Sequence, residues 1–89
     1  MSIPNFDAMD KDELMGFWFK YQHATRVQAE ELIGDRRRGF TVVVKQLANY
    51  AANKGTAVAC RLKGDIQAAL VYESICDSIY EALPGDIQW

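Results

Sequence analysis

Glu73 and Asp77 stand one helical turn apart, and two carboxylates at that spacing can share a proton or grip a cation. Neither chemistry has its companions in this chain. No second acidic helix and no Glu-x-x-His pair is present, so a carboxylate metal site lacks ligands. The expected role of the two acids is structural. Lys54 and Cys76 are placed at similar distances either side of Gly64, so folding the chain back there brings Lys54 toward Glu73 and Asp77 as an ion pair. Glu73 falls at the edge of an apolar arc and is expected to be partly buried. His23 is the single histidine and has no cysteine nearby in sequence. Ser74 and Ser78 lack a neighbouring base and show no nucleophile signature. No set of three or four metal ligands converges, and no cofactor is expected.

Arg36, Arg37 and Arg38 form the one dense basic cluster, set in a loop between Gly34 and Gly39. Such a loop can contact an anion or an acidic partner. Charge is segregated along the chain. From Arg36 to Gly64 there are seven basic residues and no acid, and from Asp65 to Trp89 five acids and no base. An acidic last helix lying beside a basic third one accounts for this, with each surface pair contributing about 0–1 kcal/mol. The other function class is an accessory nucleic-acid- or phosphate-binding protein using the arginine loop. Lys45 and Lys63 fall on one side of a helix with Lys54 and Arg61 opposite, so no continuous basic stripe forms. A net charge of −2 also lowers the expectation of nucleic acid as partner.

These residues are positioned by helices. Asp10 with Glu13, and Thr25 with Gln28, read as capping boxes, with a bend or short break near His23-Ala24-Thr25 and one continuous helix from about Lys11 to Ile33 as the alternative. Leu14, Phe17, Trp18 and Tyr21 share one helical face, and Gly34 is a stop. Thr41 is the expected N-cap of a long third helix. Its stripe is Val44, Leu47, Ala48, Ala51, Gly55, Val58, Ala59 and Leu62. The small residues in that stripe predict a close crossing near Gly55. Gly64 turns the chain, Asp65 caps a fourth helix, and Ile66, Ala69, Leu70, Tyr72, Cys76, Ile79, Tyr80 and Leu83 form its apolar arc. Leu83-Pro84-Gly85 ends it. The expected fold is all-α: three to four helices in one domain, 1–89, with a long antiparallel hairpin, about 42–63 and 65–83, packed with an aromatic N-terminal helix.

The segment from Ala57 to Pro84, A-x-x-C-x-x-x-G-D-I-x-x-A-L-x-Y-E with a closing L-P, resembles a single helix-turn-helix unit of the tetratricopeptide repeat. Small Ala57, Ala69 and Cys76, Gly64 at the turn and the terminal proline carry the likeness. It implies a packed helical hairpin. The chain is also similar to short bacterial and phage proteins, which implies no function.

With 89 residues the core is small, and association is the expected source of added stability. Cys60 and Cys76 would sit at levels about 12 Å apart in the hairpin, beyond disulfide reach, so free thiols are expected. The acidic N-terminus lacks the basic start and apolar run of a signal peptide, and no apolar run approaches a membrane span, so a cytoplasmic protein is expected. Together these features point to a small non-enzymatic interaction module that is expected to self-associate as a homodimer. Its candidate interface is Phe19, Tyr72, Ile75, Ile79 and Trp89.

Overall fold

The computed structural model describes residues 3–34 and 40–89. It is all-α, with no strand among the described residues. After a short 3₁₀ turn at Phe6–Ala8 come α1 (Lys11–Tyr21), α2 (Arg26–Ile33), α3 (Phe40–Lys63) and α4 (Ile66–Ala82). The body measures 42 × 23 × 20 Å.

Local chemistry sets the boundaries. Asp10 accepts from the Glu13 amide at 2.8 Å while the Glu13 carboxylate accepts from the Asp10 amide. Thr25 and Gln28 make the same reciprocal pair at the start of α2. Each cap contributes about 1 kcal/mol, enough to favour two short helices over a single one running through His23. At the other end of α3, the Gly64 amide donates to Arg61 and the Asp65 amide to Cys60. This i−3, i−5 pair is a Schellman closure, and it needs the left-handed backbone that Gly64 adopts at φ 82°. Asp65 then caps α4 by accepting from the Ala68 amide.

α3 is the element on which the others pack: α1, α2 and α4 all lie against it. Val44, Leu47, Ala48 and Ala51 are fully buried along it. The close crossing at Gly55 is with α1. A Cβ on Gly55 would lie 3.2 Å from Met15 Sδ and 3.5 Å from Leu14 Cβ, so the missing side chain is what lets α1 sit this near. α3 begins at Phe40 rather than being capped by Thr41, because the buried Phe40 ring anchors the first turn to the core.

The segments before α1 and after α4 both pack on the core. The first carries the 3₁₀ turn at Phe6–Ala8. Asn5 accepts from the Asp7 amide, and Phe6 is fully buried, 5.0 Å from the Phe17 ring and 5.3 Å from Tyr50. Trp89 packs back on the same group, 5.0 Å from Phe6, 4.8 Å from Tyr50 and 4.7 Å from Tyr80. Tyr80 Oη donates to the Trp89 carbonyl, and Gln88 Nε2 donates to Tyr80 and Leu83 carbonyls. Trp89 therefore lies half-buried at the margin of the core. Aromatic edges offered by three elements, with the tail's polar groups satisfied on α4, hold it there.

The apolar stripes also end earlier than their periodicity. Leu62 is 79% exposed, and Ile66 and Leu70 are exposed as well, although all three continue buried patterns. The reason is length. α1 has 11 residues against 24 in α3, about 16 Å against 36 Å at 1.5 Å per residue. Leu14, in its first turn, already meets Gly55, so nothing from α1 extends over the last turns of α3.

Candidate interaction surface

Arg36, Arg37 and Arg38 lie outside the described residues. Among the others, charge pairing differs from the expected scheme. Glu73 is held by Arg61, whose Nε and Nη2 reach its two carboxylate oxygens at 2.6 and 2.7 Å. This fork lowers the Glu73 pKa and raises that of Arg61, chiefly through the side-chain hydrogen bonds. Lys54 goes instead to Asp7, at 2.7 Å, and lies 5.9 Å over the Tyr50 ring. Equal distance from Gly64 set the level of Lys54 but not its side of α3. That side looks onto the 3₁₀ turn, and the long Arg61 fork reaches Glu73 first. Asp77 is exposed and no ion pair connects it to Lys54. Glu73 is half-buried.

Among the described residues, two buried acids have raised pKa values, Tyr50 and Cys76. Burial, together with nearby Cys76, Asp7, Asp77 and Tyr80, pushes the Tyr50 phenol up to about 12. Burial chiefly, offset by Lys54, takes the Cys76 thiol to about 11; its Sγ faces the Tyr50 carbonyl at 3.6 Å. Both groups are neutral when folded and hold their protons more tightly than in the unfolded chain, where ordinary values are 10.0 and 9.0. Their contribution to stability is therefore complete below pH about 9 and is lost as pH rises toward about 12. Thermal melting should be level from neutrality to pH 9 and fall steeply above it. Tyr50→Phe, which keeps the ring, should flatten the upper part of that fall. Both cysteines are free. His23 is exposed, and Ser78 donates to the Ser74 carbonyl at 3.2 Å, a bond within its own helix. Among the described residues no group of three or more metal-ligating side chains gathers, and no helix is long and apolar enough to cross a membrane.

What remains is a surface. At about 100° per residue, the buried side of α4 is the line Ala69, Cys76, Leu83, which lies against α3. Its acids, Glu73, Asp77 and Glu81, form a row on one flank. The outward arc, about 160° wide by the same geometry, carries no charge at all. It presents Val71, Ile75 and Ile79 in one row and Ser74, Ser78 and Ala82 in the next, with Gln67, Ala68 and Tyr72 beside them. Val71 is 59% and Ile75 39% exposed, while Ile79 and Tyr72 are half-buried. Surface helices ordinarily carry charged residues opposite the core, so an exposed arc of this composition is unusual for a face in contact with water alone.

Of the candidate interface residues, the structure brings Tyr72, Ile75 and Ile79 together on α4. Phe19 is 65% exposed but sits on α1, its ring 4.8 Å from Trp18. Val71 was missed by sequence reasoning because it lies outside the arc that faces α3. The absence of charge from Gln67 to Ala82 on that side was the available signal. Comparison with the models of known protein families, with curated proteins and with solved structures finds no match to this chain.

Proposed function

We propose that this protein is a small non-enzymatic helical interaction module that associates with itself through the outward face of α4. The observation that carries this reading is the uncharged arc beside the buried line of α4, on which Val71 is 59% and Ile75 39% exposed. Burying such a face against a second apolar face contributes about 25 cal/mol per Å² removed from water. A single small domain is marginally stable, at roughly 0.05–0.15 kcal/mol per residue, so association adds stability where it is scarce. Closed two-fold pairing is the commonest way for identical chains to bury one patch.

Ile75→Asp places a carboxylate in each copy at the centre of the proposed contact. Sedimentation velocity should find this variant monomeric, with its helical circular dichroism kept, because Ile75 is exposed in the single chain. Val27→Asp, at a site on α2 that is more exposed than Ile75, 63% against 39%, should leave the dimer intact. Equal behaviour of the two variants contradicts the reading.

A further inference from the structure

We infer that two copies of α4 pair in parallel, about a two-fold axis running along the helices, with Val71, Ile75 and Ile79 of each copy seated on the Ser74, Ser78 and Ala82 row of the other. This rests on the self-association proposed above and specifies its geometry. The two rows follow the same i, i+4 spacing on adjacent lines of one helix, about 60° apart. One row is a ridge of branched side chains and the other is a groove of small ones.

Symmetry decides how such a surface meets its copy. A two-fold perpendicular to the helices makes them antiparallel and leaves each flank on its own side, so ridge meets ridge and groove meets groove. A two-fold along the helices exchanges the flanks, and each ridge then lies over the partner's groove. Only the second arrangement seats each ridge in a groove and lets the helix axes approach closely.

Charge favours the same choice. The Glu73, Asp77, Glu81 row flanks the groove side. An antiparallel pair would set both acidic rows along one edge of the contact, whereas a parallel pair sends them to opposite edges. Like charges side by side are destabilising. The groove is also ready for burial, because the Ser78 hydroxyl already donates to the Ser74 carbonyl at 3.2 Å and needs no new acceptor. A single pair of helices makes a contact at the low end of interface sizes, so the dimer should exchange rather than lock.

Cysteine cross-linking under oxidised glutathione tests this, in a Cys60→Ser background that leaves the buried Cys76 in place. Val71→Cys and Ala82→Cys lie about 16 Å apart along the helix axis. Both positions fall within about 20° of one line between the two rows, so a parallel pair sets each level with its counterpart across the two-fold axis, and both variants should form disulfide-linked dimers. An antiparallel two-fold crosses the helix at one level and can link at most one of them. Ser78→Ile, which fills the groove, should weaken dimerisation of the uncross-linked chain at least tenfold, and adding Ile75→Ser in the same chain should restore most of it. Cross-linking by only one cysteine variant, or by neither, in a native chain that sediments as a dimer overturns the parallel pairing and leaves self-association standing. A native chain that stays monomeric overturns both.

Discussion

Phe6→Ala should unfold the protein or leave it without a cooperative transition. Phe6 is fully buried and touches rings from three other parts of the chain, Phe17 on α1, Tyr50 on α3 and Trp89 in the tail. Truncating a buried Phe costs about 3–5 kcal/mol through lost transfer energy and the cavity left behind. That is a large part of the stability of a small domain, roughly 0.05–0.15 kcal/mol per residue. The damage also spreads, since Trp89 loses one of its ring partners and the Asp7–Lys54 pair loses the anchor that fixes the 3₁₀ turn. Urea denaturation followed by tryptophan fluorescence reads this directly. Phe6→Leu, which keeps most of the volume, should retain a cooperative transition at lower urea. A loss below about 1 kcal/mol for Phe6→Ala would mean that the segment before α1 contributes no core.

Leu47→Ala and Leu62→Ala make the second strong contrast. Both are leucines on α3 and both fall on its apolar stripe, yet Leu47 is fully buried and Leu62 is 79% exposed. The first should cost about 2–5 kcal/mol. The second should stay within about 0.5 kcal/mol, as surface changes do. Equal losses would mean that the last turns of α3 are covered in solution, and that Leu62 sits in an interface.

That contrast also marks how far this fold can be read from its sequence. The hairpin was legible because its signals are local: Gly64 supplies the left-handed turn, Asp65 the cap, and Leu47, Ala48 and Ala51 the period of a buried face. The break between α1 and α2 was legible for the same reason, from two capping boxes close together. Periodicity says which side of a helix is apolar, but not where its cover ends. Leu62, Ile66 and Leu70 keep the pattern beyond the reach of α1 and so lie open. Phe6 was illegible because its burial depends on tertiary partners far away in the chain, and for the same reason Trp89 could be read either as docking on the core or as marking a contact. Lys54 was misassigned because its level in the hairpin was predictable and its side was not. Among the interface residues, Ile75 and Ile79 could be found as apolar positions left over by the core. Val71 required the observation that charge is absent around it.

The central claim is that the outward face of α4 holds two chains together, and the solution mass of the native protein tests it most directly. Sedimentation equilibrium from roughly 1 to 100 μM spans the range in which a contact worth about −7 kcal/mol, a dissociation constant near ~10 μM, changes from mostly monomer to mostly dimer. The expected result is a weight-average mass rising from near the 10.1 kDa of one chain toward twice that value, with Ile75→Asp fixed at the lower mass throughout. A native chain that remains at 10.1 kDa at the highest concentration while melting cooperatively at high temperature would contradict the account.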